Sequence, residues 1–298
     1  MELKQVNNDQ NVKSISISNI CWDITSRCND NCSFCYGERN SVEISLNENK
    51  QILEKLISLN PLKISFVGGE PLLYGNKLLK LIEFGKKIND EIEYSLTSNA
   101  ILLFDSKLRL NINLINKIKD YFDWFTFSLD GYNSDIQSKM TRNENHFYRI
   151  ITLLEYLKKI HQKVKINTVV SKINIKNNNL IRLADLLINF KVKRWKLMHF
   201  LPSRSLAFEN KEIYSIDETN FIELYNNIEY YCSEKISISK NIKNDFCNYF
   251  TISSDGKLIN YDGTQYQKKI DFLAETSDSI IILIKNLNKH FRSYYDDR

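Results

Sequence analysis

The sequence predicts an α/β protein, an open, partial (β/α)6 barrel followed by a C-terminal extension. Six apolar, β-branched runs of strand length alternate with longer segments that have helical spacing. Successive βα units give parallel strands with right-handed crossovers, and six units are two short of a closed (β/α)8 barrel. The predicted strands lie near 19–25, 62–67, 92–97, 123–129, 164–170 and 192–200.

Two of the intervening segments carry clear helix signals. Ser45 and Glu48 form a capping-box pattern, and one helical face beyond them is apolar: Ile52, Leu53, Leu56 and Ile57. A second apolar stripe indicates another helix and consists of Phe147, Ile150, Ile151, Leu154 and Leu157.

The pattern changes after the sixth strand. We therefore predict a polar N-terminal segment (1–17), a partial barrel (18–200) and an extension that covers the active site (201–298). The Asp255-Gly256 dipeptide is a turn signal within a predicted hairpin. The extension is predicted to contain a loop at 201–216, a helix near 217–234, hairpin strands at 249–253 and 257–261, and a helix near 277–291.

Composition favours a cytoplasmic enzyme. The chain has 298 residues, of which 43% are hydrophobic, enough for one large core, and no apolar run reaches membrane-spanning length. The first residues show no signal-peptide pattern, and six cysteines in such a chain indicate a reducing compartment. The net charge of +5 is spread along the chain, which argues against a nucleic-acid-binding protein.

Three cysteines spaced CxxxCxxC follow the first predicted strand. Cys28, Cys32 and Cys35 lie too close together for a disulfide framework and are one ligand short of a structural zinc site. Three thiolates can bind three irons of a 4Fe–4S cluster and leave the fourth iron open. An aromatic residue, Phe34, directly precedes the third cysteine. The alternatives are three unrelated thiols or a zinc site completed from elsewhere in the chain.

Other unusual residues fall at the carboxyl ends of later strands, where the chemistry of parallel βα folds gathers. The second strand ends in a turn that pairs two glycines with a carboxylate and a proline, Gly68-Gly69-Glu70-Pro71. Paired glycines allow close backbone approach to a ligand, and Glu70 can accept a hydrogen bond from an ammonium group. The third and fourth strands end in Thr97-Ser98-Asn99 and Ser128-Leu129-Asp130-Gly131.

The last two strands carry charges that a buried parallel strand would not be expected to contain. With a period of two, Lys165 shares a face with Asn167, and Arg194 shares one with Lys196. Lys63 adds a cation at the start of the second strand. Buried cations are costly, so this face predicts a bound polyanion such as a phosphate chain. The alternative is an edge-like pair of strands with solvated charges.

Together, these motifs resemble those of the radical S-adenosylmethionine (SAM) enzymes. The resemblance implies that Cys28, Cys32 and Cys35 bind a 4Fe–4S cluster and that SAM binds to its open iron. It also implies a set of SAM-binding residues, namely Gly68, Gly69, Glu70, Asn99, Ser128 and Arg142, with Phe34 beside the cluster. Ala100 departs from the family, which has Ser-Asn-Gly where this chain has Ser-Asn-Ala.

Two further stretches resemble the viperin family more narrowly. They are the residues KINTVV at 165–170 and RWK at 194–196, within a similarity that runs from about residue 19 to about residue 262. The resemblance implies conversion of CTP, UTP or GTP to its 3′-deoxy-3′,4′-didehydro form, a terminator of viral RNA synthesis. The implied triphosphate ligands are Lys63, Lys165, Arg194 and Lys196, with Asn167 also at the substrate. Tyr249 corresponds to a residue that helps to quench the product radical, and Lys268 or Lys269 to a lysine that closes over the phosphates.

The chain also departs from this family. Upstream of the cysteines, Asn-x-His-x-Thr is replaced by a segment that keeps only the threonine, Cys21-Trp22-Asp23-Ile24-Thr25. The membrane-binding helix of animal viperins has no counterpart in this sequence, so we expect no membrane association. We also expect a monomer that receives electrons from a reductase, a flavodoxin or a ferredoxin.

Two other classes of protein remain open. One is a radical SAM enzyme that acts on a peptide or protein, either a maturase or a glycyl-radical activase. The cysteines outside the motif, Cys21, Cys232 and Cys247, are too few for an all-cysteine second cluster of the kind that maturases carry. The other class is a non-catalytic nucleotide- or RNA-binding protein with a structural or sensory cluster.

Overall fold

The six predicted parallel strands form the centre of a larger sheet. The computed structural model describes residues 17, 19–39, 42–140, 143, 145–203, 205–242, 245, 250–261 and 266–286. Each predicted strand is present and begins and ends within two residues of the expected position. The strands are β1 (Asn19–Thr25), β2 (Lys63–Gly68), β3 (Glu93–Ser98), β4 (Trp124–Ser128), β5 (Val164–Val170) and β6 (Arg194–His199).

Helices connect these strands, and the predicted capping box begins the first of them. The Ser45 side chain accepts from the Glu48 backbone N–H at 3.3 Å, and the Glu48 carboxylate accepts from the Ser45 N–H at 2.7 Å. The apolar stripes of α1 and α5 face the core, as predicted. The connecting helices are α1 (Leu46–Ser58), α2 (Asn76–Ile88), α3 (Ile112–Ile118), α4 (Ser134–Met140), α5 (His146–Lys159) and α6 (Asn179–Asn189).

The extension after β6 adds strands to both edges of the sheet. One of them, β7 (Ser237–Asn241), pairs in parallel with β6, and another, β8 (Phe250–Ile252), pairs in parallel with β1. The predicted hairpin is confirmed, because β8 pairs antiparallel with β9 (Lys257–Tyr261). A further strand, β10 (Tyr266–Asp271), lies beyond β9. The described strands therefore form one open sheet in the order β10-β9-β8-β1-β2-β3-β4-β5-β6-β7.

The prediction of a loop at 201–216 is wrong, since this segment contains two short helices. They are α7 (Ser205–Glu209) and α8 (Lys211–Tyr214). Each is too short to show a helical period, and each is anchored by a buried residue, Ala207 in α7 and Tyr214 in α8. The helix predicted near 217–234 is present as α9 (Glu218–Cys232). The helix predicted near 277–291 is present as α10 (Ser277–Asn286), and positions 287–291 of that prediction lie outside the described residues.

The two faces of β5 and β6 differ as their period of two predicts. The apolar face is fully buried and contains Ile166, Trp195 and Leu197. The opposite face carries polar side chains, which the strand register places side by side: Lys165 with Arg194, and Asn167 with Lys196. In the described part of the chain, no helix combines the length and the apolar character needed to span a membrane.

Candidate active site

The cysteine loop leaves the carboxyl end of β1 and carries its own hydrogen-bond donors to sulfur. The Asp30 N–H donates to Cys28 Sγ at 3.4 Å, and the Gly37 N–H donates to Cys35 Sγ at 3.3 Å. Burial raises the pKa of the Cys28 and Cys32 thiols. A bound cation that stabilises the thiolates would therefore compensate for their burial.

Helices α7 and α8 hold the cysteine loop from the other side. The Ala207 N–H donates to the Cys35 carbonyl at 3.1 Å, and Asn210 Nδ2 donates to the Ser33 carbonyl at 3.0 Å. The hydroxyl groups of Tyr214 and Ser33 form a further hydrogen bond. Phe34 packs edge-on against Tyr214, with 5.8 Å between the ring centroids. The sequence did not predict these contacts of α7 and α8 with the cysteine loop, because they join residues far apart in the chain.

The glycines after β2 allow that turn to pack against the start of the cysteine loop. The Gly69 N–H donates to the Thr25 carbonyl, and the Glu70 N–H donates to the Arg27 carbonyl, both at 2.8 Å. A Cβ atom on Gly69 would lie 2.0 Å from the Arg27 carbonyl oxygen. Gly68 has a φ of +119°, a conformation that other residues rarely adopt. The glycines are therefore required for contact with the chain itself, besides any contact with a ligand.

The Glu70 carboxylate ties the end of β2 to the end of β3. It is completely buried and accepts from the Asn99 N–H at 2.7 Å, the Ser98 hydroxyl at 3.0 Å and the Leu72 N–H at 3.1 Å. Burial raises the pKa of Glu70 to about 7, although these hydrogen bonds act in the opposite direction. The chain's own donors therefore already engage both carboxylate oxygens.

The turn after β3 reaches the cysteine loop through Asn99. Its Nδ2 donates to Asn29 Oδ1 at 2.8 Å and lies 3.8 Å from Cys28 Sγ. The next residue, Ala100, has a left-handed φ of 63°. Glycine adopts this conformation without steric cost, which explains the glycine found here in related Ser-Asn-Gly motifs.

A cavity of about 330 Å³ joins the cysteine loop to the polar face of the sheet. It brings together predicted cofactor residues (Phe34, Cys35, Gly68, Gly69 and Ser128) and predicted substrate residues (Asn167 and Lys196). Cys21 and Asp23, at which the chain departs from the viperin pattern, also line the cavity. The segments added on both sides of the six βα units contribute to its wall through Asn241, Thr251, Ser253, Ser254 and Ile259.

The other predicted substrate cations lie nearer the amino ends of the strands and do not line this cavity. Lys63 and Lys165 are buried, and the Arg194 guanidinium stacks on the Trp124 ring at 4.5 Å from its centroid. Burial, together with the nearby charges of Lys165 and Arg194, lowers the pKa of Lys63 to about 7.

Lys196 connects this cation cluster to the cavity. Its pKa is also lowered, first by burial and then by Lys165. The electrostatics thus favour an anion beside these side chains.

The resemblance also implies roles for Arg142, for Tyr249 and for one of two lysines in β10. Arg142 and Tyr249 lie outside the described residues. The two candidate lysines in β10, Lys268 and Lys269, are both exposed. Lys268 has its Nζ 3.1 Å from Asp255 and 3.6 Å from Glu38, which lines the cavity. Lys268 is therefore the lysine that the fold places next to the cavity wall.

A sequence profile of the Radical SAM superfamily matches residues 22–184, more than half of the chain. The chain belongs to the radical SAM superfamily. The prediction made from the cysteine, glycine and strand-end motifs is thus confirmed, and the cofactors of this protein are a 4Fe–4S cluster and SAM.

Several relatives of this radical SAM protein carry the name S-adenosylmethionine-dependent nucleotide dehydratase. One, from Flammeovirga pacifica, is 25% identical over 262 residues, which cover 84% of each chain. Another, from Lacinutrix mariniflava, is 28% identical over 235 residues, which cover 72% of this chain but 45% of the relative. The nucleotide dehydratase RSAD2 of Oncorhynchus mykiss is 24% identical over 67% of this chain and 56% of its own length.

Solved structures share the fold at lower identity. SuiB of Streptococcus suis bound to S-adenosylmethionine gives a TM-score of 0.70 at 17% identity, over 89% of this chain and 65% of SuiB. The enzyme anSMEcpe, solved with bound AdoMet and a peptide, gives 0.66 at 18% identity, over 93% of this chain and 84% of anSMEcpe. These matches confirm the open α/β architecture.

The residues present fit the cofactors of this superfamily. Among the described residues, no three His, Cys, Asp or Glu side chains converge on a position for a single metal ion. A cluster does not require such convergence, because each cysteine binds a different iron. Cys28, Cys32 and Cys35 would hold the cluster, and the Gly68–Gly69 backbone lies beside them at the cavity wall.

Proposed function

We propose that this protein is a radical SAM nucleotide dehydratase that acts on a ribonucleoside triphosphate. The product is the 3′-deoxy-3′,4′-didehydro nucleotide, with CTP, UTP or GTP as the substrate, and it acts in antiviral defence as a terminator of RNA synthesis. The names of the relatives above support this reaction, as does the resemblance at KINTVV and RWK.

One observation carries the proposal: four cations gather on the polar face of the barrel, and three of them are buried. Lys63, Lys165 and Lys196 are 5%, 7% and 6% exposed, respectively, and Arg194 lies beside Lys165 on the next strand. Each burial is unfavourable and the cations repel one another, so a ligand with several negative charges is the natural complement. A triphosphate has this property, whereas a peptide backbone does not.

The arrangement suggests how the chain positions its substrate. Lys196 and Asn167 hold the phosphate side of the nucleotide, while Phe34 and the Gly68–Gly69 turn form the wall beside the cluster. The ribose then lies between the two walls, and fixing it there is the main contribution of the protein. When bound, the cluster and SAM supply the one-electron chemistry that removes a hydrogen atom from the ribose.

Other parts of the proposal rest on the resemblance alone. Arg142 binds the SAM carboxylate, Asn99 and Ser128 contact the ribose or carboxylate of SAM, and Tyr249 helps to quench the product radical. A reductase, a flavodoxin or a ferredoxin donates the electrons, and the protein acts as a monomer. The extension at 201–298 covers the active site, in keeping with the cavity-lining residues that it contributes.

Stimulation of SAM cleavage tests the proposal. Reconstituted protein is incubated without oxygen with SAM, a reductant and one nucleotide at a time, and 5′-deoxyadenosine is quantified. We expect a nucleoside triphosphate to stimulate its formation far more than the corresponding monophosphate. If no common triphosphate has an effect while a peptide does, the alternative of a peptide-modifying radical SAM enzyme replaces the proposal.

A further inference from the structure

One cavity-lining residue outside the predicted site has an unsatisfied polar group. Asn241 is the last residue of β7 and lies opposite Met198 of β6, which also lines the cavity. Its side chain is 1% exposed, and Oδ1 is buried without a hydrogen-bond partner among the described residues. Such a group is costly in a folded protein unless a ligand or solvent completes it.

The same property marks a residue already implicated in substrate binding. Asn167 Oδ1 is likewise buried without a partner in the described part of the chain, and Asn167 lines the same cavity. The two amides lie on opposite sides of β6, one on β5 and the other on β7. A substrate that fills the cavity would therefore meet an asparagine on each side of the strand that carries Lys196.

The position of Asn241 indicates which part of a nucleotide it meets. The cysteine loop and the Gly68–Gly69 turn form the cofactor wall, and the phosphate side is assigned to Lys196 and Asn167. The remaining lining includes a group of uncharged polar residues, in which Asn241 is accompanied by Thr251, Ser253 and Ser254, besides apolar residues such as Met198 and the carboxylates of Asp23 and Glu38. An amide offers both a donor and an acceptor, which is the chemistry that the edge of a nucleobase also presents.

We infer that Asn241 contacts the nucleobase of the substrate and contributes to the choice among nucleoside triphosphates. This inference rests on the proposed function, since it assigns the nucleobase of the same substrate to the part of the cavity that contains Asn241. It predicts that Asn241 matters for ligands that carry a base and is irrelevant for an inorganic phosphate chain.

Binding measurements on the reconstituted holoprotein test this role. The dissociation constants of CTP, UTP, GTP and inorganic tripolyphosphate are measured for the wild type, Asn241→Ala and Asn241→Asp. Loss of one neutral hydrogen bond should weaken nucleotide binding about two- to tenfold in Asn241→Ala and leave tripolyphosphate binding unchanged. Asn241→Asp, which can only accept when ionised, should alter the order of preference among the three nucleotides.

Lys240→Ala is the matched control, because Lys240 lies on the other face of β7 with its ammonium 4.1 Å from the ring centroid of Tyr225. It should bind all four ligands as the wild type does, and iron content and thermal midpoint verify that each variant is folded. Equal weakening of nucleotide and tripolyphosphate binding in Asn241→Ala, or no change in either, would overturn the inference alone. A wild type that binds none of the four ligands would overturn the proposed function as well.

Discussion

The side chain of Lys196 occupies a place where burial and a neighbouring cation disfavour its positive charge. Burial and the neighbouring Lys165 both lower its pKa, and it lies where the cation cluster meets the cavity. Phosphate oxygens would offset both effects through charge-assisted hydrogen bonds. Lys196 is therefore the residue whose removal should separate substrate binding from cofactor binding most cleanly.

Replacement of Lys196 by alanine should weaken binding of the nucleoside triphosphate by roughly ten- to a hundredfold, since hydrogen bonds between charged groups contribute about 1.5–3 kcal/mol. Cluster content and unstimulated SAM cleavage should stay at wild-type values. Titration of the reconstituted protein with nucleotide measures the effect. Lys193→Ala removes an exposed lysine just before β6 and serves as the control. Wild-type affinity in Lys196→Ala would show that the triphosphate binds elsewhere.

The lowered pKa of Lys63 predicts a pH dependence of stability. With a pKa of about 7 in the folded protein against an ordinary value of 10.5, the unfolded chain binds more protons throughout this window. Stability of the nucleotide-free protein should therefore rise with pH from about 7 towards 10.5, and this contribution to stability should be lost again as the pH falls to about 7. The thermal midpoint should rise less between pH 7 and pH 9 in Lys63→Met than it does in the wild type. Equal gains in the two proteins would exclude a contribution from Lys63.

Among the secondary-structure elements, the turn after β2 packs directly against the segment before the cysteines. The two backbone hydrogen bonds from Gly69 and Glu70 hold them together, and Gly69 leaves no room for a side chain. The cysteine loop therefore begins from a fixed point on the sheet. Cluster binding should depend on this contact even though Gly69 is not itself a ligand of the cluster.

Gly69→Ala should reduce cluster loading and SAM binding severely, because its Cβ would overlap the Arg27 carbonyl. Gly75→Ala is the control: it also lies after β2, but its Cβ would meet nothing within 4 Å. Its positive φ of 62° should cost some stability and leave the cluster in place. Iron and sulfide content after reconstitution measures both variants. Full loading in Gly69→Ala would mean that the turn can shift without consequence.

Helices α7 and α8 support the cysteine loop from outside the βα units. Tyr214→Phe keeps the ring that packs on Phe34 but loses the hydroxyl bound to Ser33. We expect normal folding and a cluster that a chelator removes several times faster, because one neutral hydrogen bond contributes about 0.5–1.5 kcal/mol. Absorbance of the cluster during chelation follows the loss. Ile213→Ala changes an exposed neighbour and should lose its cluster as slowly as the wild type. An unchanged rate of cluster loss in Tyr214→Phe would show that the hydrogen bond to Ser33 does not stabilise the cysteine loop.

At the scale of the whole molecule, strands added on both sides of the six βα units line one cavity. Asn241 comes from β7, which pairs with β6, and Thr251 comes from β8, which pairs with β1. These added strands line parts of the cavity that the six βα units do not line. The extension therefore lines part of the cavity as well as extending the sheet.

The six βα units could be predicted because each buried strand is a local apolar run and each helix has a local period. The added strand β7 could not, since its residues Ser237–Asn241 form an edge strand with no apolar run. The brace by Tyr214 and the cavity position of Asn241 depend on contacts between distant parts of the chain. Charged residues at alternate positions in β5 and β6 did predict the polar face that these strands present, because they break the pattern of a buried strand.

The proposed reaction places radical chemistry on the ribose of a bound nucleoside triphosphate. The most direct measurement supplies nucleoside triphosphates deuterated at the 4′ carbon, with SAM and a reductant, and determines the mass of both products. We expect deuterium in 5′-deoxyadenosine and a nucleotide lighter than its parent by the mass of one water, with the lost deuterium taken into account. An unlabelled 5′-deoxyadenosine, formed at the same rate with and without nucleotide, would contradict it.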